Sequence, residues 1–541
     1  MNVETLSRIQ FALTASFHFV FPPMTIGLGV FLVVLQTLRV VTRKPLYVEL
    51  ARFWTKVFGL IFAIGVATGI PMEFQFGTNW ASYARFVGDI FGSPLAIEGI
   101  YAFFMESGFL ALLLFGWNRI GPKWHLFSTC MVALGAHFSA IWILVANSWM
   151  QTPAGFHLAR QVKVTADGTQ YPVATDLGTQ AFTLTEVALP RDYVVQPADL
   201  GQVRAVIDNF TEAILNPSTL DRLFHTILAC WITGAFVVIA ISAWWLRRRR
   251  HVEAAQISLR IALTMALISS VLQMLSGDST ARGVARFQPT KLAAMEGLER
   301  TRTEAPLGLV GWVSWRRDSA GQITGLESKT VGVPALLSIL VSGDFLHPAT
   351  AAQTEVKGLL DLPSTQLLRA RHPQATEAEL NQLRPKYWPN SPILFQTYHL
   401  MIALGMVLLG LAVLGCWGLW TGQLWQVDRP VVRYFLAALM LSPFLAHVAT
   451  QAGWFTAELG RQPWAVFEVL KTSEATSAVV RAPQVLRSII LFTLIYLLLS
   501  ALFITMLTKM VRQGPQPLVL NESLPERWQP LSHRAGHPGE I

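Results

Sequence analysis

Charge is scarce in this 541-residue chain: Asp, Glu, Lys and Arg make up 14% of it, against 52% hydrophobic residues. A soluble globular domain carries about a quarter charged residues, so this composition excludes one and, with a mean hydropathy of +0.43, defines an integral membrane protein. Cysteine is scarcer still. Cys130, Cys230 and Cys416 each lie in an apolar run, which excludes a disulfide framework and a CxxCH haem-attachment site. There is no His-His pair and no HExxH, so a copper or zinc centre has little support. No internal repeat is visible, which weakens an inverted-repeat transporter. The opening "MNVETLSRIQ" has neither a basic n-region nor a small-residue cleavage site, so the first helix is expected to be retained. The net charge of +9 does not point to nucleic acid, because the basic residues collect in loops between apolar runs.

Runs long enough to cross a bilayer (about 20 residues each) fall near 10–38, 54–76, 94–117, 124–149, 220–246, 257–277, 392–420, 431–455 and 486–511. The expected fold is therefore all-α, with about nine transmembrane helices. Arg39, Arg43, Lys44, Arg52 and Lys56 lie between the first two runs and Arg247 to Arg250 between the fifth and sixth; Arg85 alone occupies the loop after the second. Lys and Arg are retained on the cytoplasmic side. This bias predicts an N-terminus outside, a C-terminal tail (512–541) inside, and two long outward segments. One is an insertion near 150–219 with strand character. The other, 278–391, is a long extracytoplasmic loop between helices six and seven. The resulting domains are 1–277, the 278–391 loop, 392–511 and the tail.

Ionisable groups within spans are expensive and face the bundle interior. They are His18, Glu73, Glu98, Glu106, His125, His137, His225, His399, His447 and, at an edge, Glu458. Isolated histidines with a methionine suit haem iron, whose common axial ligands are His and Met. His18, His225 and Met401 fall at one level, roughly 7–14 Å below the outer face at 1.5 Å per residue. A lone intramembrane His is as readily a hydrogen-bonded packing residue, and a lone Met is usually core. Glu98 and Glu106 stand about 12 Å apart along an ideal helix and about 80° around it. That suits a proton relay, since a protonated carboxyl both donates and accepts; helix–helix hydrogen bonding is the plainer role. His447, Gln451, Trp454 and Glu458 recur at i, i+4, i+7 and i+11, one polar-aromatic stripe. Arg461 follows, placed to neutralise an anion such as a haem propionate, or simply to snorkel beside an interfacial Trp.

The segments "MEFQFGTNW", "PLAIEG", "WILVANSWMQ", "GDSTARGVARFQPTKLAAMEG" and "GWFTAELGRQPW", in this order, make the chain resemble subunit I of the cytochrome bd quinol oxidases over nearly its whole length. The resemblance implies two b haems, one low-spin and one high-spin, and a chlorin-type haem d. It implies His225 and Met401 as axial ligands of the low-spin haem, and His18 as the histidine at the high-spin pair. Glu98 and Glu458 are the acids at that pair, Glu106 the inner member of a proton route, Trp454 the ring between cofactors, and Arg461 the arginine near the propionates. Lys291 and Glu296 match a quinol-contacting pair. His399 departs from the pattern, standing where many members have Arg. The implied enzyme oxidises membrane quinol and reduces dioxygen to water without pumping, in a bacterial inner membrane. Its expected partners are a homologous second subunit and a small single-helix subunit. A diheme quinone-linked oxidoreductase and an ion-coupled transporter are the alternatives.

Overall fold

The computed structural model describes residues 2–517 except 174, 191–192, 197–198 and 200. The tail beyond 517, part of the expected cytoplasmic tail, lies outside the described residues. Among the described residues, nine helical segments are long and apolar enough to cross a membrane. The first is broken into α1 (Val3–His18) and α2 (Phe21–Thr42). Pro22 and Pro23 explain the break, because neither offers a backbone N–H to the turn before it. His18 is thus the last residue of α1. The second span is α3 (Pro45–Thr78). The third runs through α4 (Gly88–Ile97), a π-helical segment over Glu98–Phe103, and α5 (Phe104–Phe115). The fourth to sixth are α6 (Pro122–Gln151), α7 (Thr219–Arg247) and α8 (Val252–Phe287). α8 continues ten residues past the end expected from hydropathy, then turns into the short α9 (Pro289–Glu296). The last three are α10 (Ser391–Trp420), α11 (Pro430–Leu459) and α12 (Ala482–Gln513).

α7 is the axis of the bundle. Its most apolar window is 78% buried, against 6% for α12, and it packs on α2, α6, α8 and α11, with α10 closing the circle through α8 and α11. Small residues permit the closest crossing. A Cβ built at Gly234 of α7 would lie 2.5 Å from the Gly27 carbonyl carbon of α2, so glycine on both helices lets the backbones touch. Leu28, Phe31, Trp54, Phe58, Phe236 and Trp245 fill the core around that crossing.

Outside the bundle, the insertion carries β1 (Phe156–Thr165), β2 (Gln170–Pro172), β3 (Phe182–Ala188) and β4 (Val203–Ile207). β1 pairs antiparallel with all three others. The stretch between α9 and α10 holds a long hairpin, β5 (Leu307–Arg317) and β6 (Ile323–Val333), and several short helices. Its core of Leu292, Met295, Val313, Leu326 and Phe395 joins it to α9 and α10.

Candidate functional site

The "NSWMQ" end of α6 points Asn147 and Gln151, one turn apart, at the end of α11. The Asn147 amide donates to Glu458 Oε1 at 2.9 Å, and Arg461 pairs with the other Glu458 oxygen. Arg222, in the first turn of α7, donates to Asn147 Oδ1. Lys291 of α9 is buried and donates to Gln151 Oε1 and to the Ala457 carbonyl, each at 3.1 Å. Gln288 completes the group by donating to Gln151 Oε1 at 3.0 Å. Burial, and then Arg222 nearby, hold the Lys291 ammonium well below the usual lysine range. Four elements thus gather three cationic side chains around a single carboxylate. An uncompensated buried charge is costly, so the arrangement can accept a further anion.

The stripe on α11 continues inward from this cluster. Gln451 donates to the Ser16 carbonyl of α1 at 2.8 Å, two residues from His18. His447 Nδ1 and Gln451 Oε1 are buried without a hydrogen-bond partner among the described residues. His18 itself bonds Thr68 of α3 at 3.0 Å. Trp454 lies on the same helix face as Glu458, one turn earlier.

His225 and Met401 belong to the group formed by α7, α8, α10 and α11. Gln273 of α8 approaches both ring nitrogens of His225, at 3.0 and 3.2 Å, and Ser276 approaches Nδ1 at 3.3 Å. Each of the three candidate iron ligands also lies against a glycine. An added Cβ would be 2.9 Å from Met401 Sδ at Gly453, 3.2 Å from His18 Cε1 at Gly69 and 3.6 Å from His225 Cε1 at Gly277. Among the described residues no three His, Cys, Asp or Glu side chains converge as an ion site. One donor per helix, each packed closely on a glycine, fits a flat macrocycle held between helices better than a compact ion cage.

The third span brings Glu98 and Glu106 to one partner. Ser139 of α6 donates to Glu98 at 2.5 Å, and a Cβ at Gly135, one turn earlier on α6, would strike the Glu106 Cβ at 2.9 Å. The expected separation of about 80° assumes 3.6 residues per turn. The π segment starting at Glu98 unwinds that stretch, so both carboxyls follow a single stripe of α6. π segments concentrate at functional sites. Glu73 is exposed on α3.

Lys291 and Glu296 are not brought together. Five residues apart on α9, they face different neighbours: Lys291 the Glu458 cluster, Glu296 the hairpin and α10. The Glu296 oxygens have no well-formed hydrogen bond among the described residues; the Tyr398 hydroxyl and the Gly308 backbone are turned toward them. Burial pushes the Glu296 carboxyl up to about 8. His399 takes no part in the clusters. Its ring lies within 2.8 Å of the Phe395 carbonyl and 2.9 Å of the Gly308 carbonyl, tying β5 to α10. His125 and His137 have both ring nitrogens occupied, by Gln36 and the Leu113 carbonyl and by Trp231 and the Ala133 carbonyl; these are packing contacts.

Arg222, Asn147, Gln151, Ser139 and Tyr398 were not legible as site residues. Asn147 and Gln151 carried one signal, a polar i, i+4 pair near the end of an apolar run. Arg222, three residues before His225, reads as an ordinary span-edge cation.

The fold and these clusters define a polytopic helical membrane protein whose scarce ionisable side chains are gathered in hydrogen-bonded clusters between its helices. The family model described as cytochrome bd terminal oxidase subunit I matches residues 6–515. Similar proteins include the Escherichia coli cytochrome bd-II ubiquinol oxidase subunit 1, 33% identical across 96% of this chain and 98% of that one. The Bacillus subtilis cytochrome bd ubiquinol oxidase subunit 1 is also 33% identical, over 95% of each. The solved bd oxidase of Geobacillus thermodenitrificans superposes with a TM-score of 0.73 at 26% identity, covering 95% of this chain and 99% of that chain. The chain belongs to the cytochrome bd terminal oxidase subunit I family.

Proposed function

We propose that this quinol:oxygen oxidoreductase works with three haems: a low-spin b haem on His225 and Met401, and a high-spin b haem and a haem d near His18, Glu98 and Glu458. The observation that carries this reading is the pair of buried polar atoms left without a partner among the described residues on the α11 stripe beside His18, His447 Nδ1 and Gln451 Oε1. The cation surplus of Lys291, Arg222 and Arg461 over Glu458 supports it, because two propionate carboxylates would balance that surplus. Bound there, the haems would supply electron transfer and the reduction of dioxygen to water.

The chain's own residues set the rest. His225 and Met401 would together hold one haem, which would supply electron transfer there. Glu296, with Tyr398 beside it, takes a proton from quinol at the hairpin side of the bundle. Glu106 and then Glu98 carry protons from the inner side toward the oxygen site along the Gly135–Ser139 stripe of α6, with Ser139 orienting the Glu98 carboxyl. Trp454, on the α11 stripe between Gln451 and Glu458, is the ring that would lie between the cofactors. The apolar bundle around them keeps bulk water away from the reacting oxygen. Lys and Arg crowd the loop after α2 and the turn after α7, which supports a bacterial cytoplasmic membrane location with the N-terminus and the hairpin outside. Protons and electrons then meet from opposite faces, and each charge moved fully across stores about 2.3 kcal/mol per 100 mV without a pump. Of the three least buried spans, the third, seventh and ninth, the third and ninth are the faces assigned to a homologous second subunit and a small single-helix subunit.

The reduced-minus-oxidised spectrum of the native complex tests the proposal. A red chlorin band together with b-type bands is expected, and Met401→Leu should remove the six-coordinate low-spin signature. b-type bands alone would leave a diheme enzyme. A low-spin signature that survives Met401→Leu would remove Met401 as ligand.

A further inference from the structure

The β5–β6 hairpin has two unlike faces and two unlike ends. Its inner face packs on α9 and α10: Val313 and Leu326 are buried, and a Cβ at Gly297 would meet Val313 Cγ2 at 2.7 Å. Its outer face has no neighbour among the described residues. Val310 is 70%, Trp312 68% and Val331 74% exposed, with Leu309 and Val333 exposed beside them.

Three contacts fix the hairpin's height against α10. The Gly308 carbonyl meets His399, the Gly311 carbonyl accepts from Gln396 at 2.9 Å, and Trp315 stacks on Trp388 with centroids 6.1 Å apart. α10 begins at Ser391, so β5 climbs beside it from about 12 Å inside the helix, at 1.5 Å per residue, to beyond its start. Polarity follows this climb. The open end, level with Gln396 to His399, exposes Leu309, Val310, Val331 and Val333, with Thr330 between them. Trp312 pairs across the ladder with Lys329 in the middle. The turn end carries Arg316, Arg317 and Asp318, with Arg316 paired to Glu299 and Arg317 donating to the Gly321 carbonyl. Below the open end, α10 continues the same surface with exposed Leu400, Ile402, Met406 and Val407.

We infer that the open half of the β5–β6 hairpin docks into the outer interfacial layer of the lipid bilayer, as a continuation of the membrane-facing surface of α10. A water-facing hairpin would expose this valine and tryptophan patch at a cost, and a hairpin sunk in hydrocarbon would leave its free strand edges without partners. The interfacial layer satisfies both, since it offers apolar chains and hydrogen-bonding groups together. Trp312 and Lys329 are the residues such a boundary selects, an amphipathic ring and a cation able to reach outward. The inference uses only the hairpin's surface and does not depend on the role given to Glu296. It does make the hairpin a lipid-embedded roof over that carboxyl.

The test uses the intact complex in lipid nanodiscs, with a nitroxide attached at Val310→Cys, Val331→Cys or, in the turn, Ser319→Cys, after subtraction of label on the unsubstituted protein. Collision rates with oxygen, which concentrates in lipid, and with a neutral nickel chelate, which stays in water, are compared by EPR. The expected oxygen-to-nickel ratio is several-fold higher at 310 and 331 than at 319. Equal ratios at all three sites would place the hairpin in water and overturn the inference. Low collision with both reagents at 310 and 331 would mean that a protein partner covers the patch, and would overturn it equally. A lipid-tail photo-crosslinker applied to the unsubstituted complex gives an independent reading: adducts are expected within 309–313, and adducts confined to the spans refute the docking.

Discussion

Gly453→Ala is the sharpest probe of the site, because it adds one methyl group beside a single proposed iron ligand. The new carbon would lie 2.9 Å from Met401 Sδ and 3.7 Å from its Cγ. Non-bonded heavy atoms settle at about 3.5–4.0 Å, so the sulfur must retreat by about 0.6–1.1 Å. Met401 has three side-chain torsions with which to do so. Overpacking costs about 1–3 kcal/mol, and the yielding thioether keeps this substitution near the lower end. A metal–ligand distance, by contrast, is held to about 0.2 Å, and a displaced sulfur no longer binds. The expected variant therefore folds, assembles and keeps its full haem content, while its low-spin signal gives way to a five-coordinate one. Its midpoint potential should fall, since methionine ligation raises it. Gly234→Ala is the contrasting control. There the obstacle is Gly27 backbone at 2.5 and 2.6 Å, which has no torsion to spare, so the α2–α7 crossing should open and the complex should fail to assemble. An unchanged low-spin spectrum and potential in Gly453→Ala would refute the placement of Met401 at iron.

Further consequences follow for other residues. Arg222→Met removes one of three cations facing Glu458; a cation near a haem favours the reduced form, so redox titration should show a lower potential for the high-spin haem, and an unmoved potential would separate the cluster from any cofactor. Glu106→Gln should slow oxygen reduction about tenfold or more with an unaltered spectrum, whereas normal turnover would make Glu106 a packing residue. With its carboxyl raised to about 8, Glu296 is mostly protonated at neutral pH and accepts a proton only once ionised. Quinol oxidation should accordingly rise with pH through about 8, and Glu296→Gln should flatten that limb of the profile. The linked stability has the opposite sign: between the ordinary carboxylate range and about 8 the folded state binds the extra proton, so stability falls as pH rises there. Thermal denaturation of the wild type should lose this slope in Glu296→Gln.

The number and order of the spans were legible because hydropathy over about 20 residues is a local property. Their ends were less so: α8 runs on through Gly277 and Asp278 to Phe287 because the 280s pack on the hairpin domain, which no local window reports. The candidate ligands His18, His225 and Met401 stood out because imidazole and thioether groups are rare inside spans, and the charged residues of α11 stood out for the same reason.

What the chain determined by itself is the inventory: which helices cross, which scarce polar groups they carry, and on which helix face each falls. Tertiary structure alone decided which groups meet. It joined Lys291 of α9 to Arg222 of α7 and to Glu458 and Arg461 at the end of α11, and set Glu296 against the hairpin and α10. It also used a π segment to bring Glu98 and Glu106 onto one stripe of α6. The physical reason is range. Hydropathy and helical periodicity act over a few turns, whereas burial of charge is settled between segments hundreds of residues apart, where each buried cation must find its partners in space.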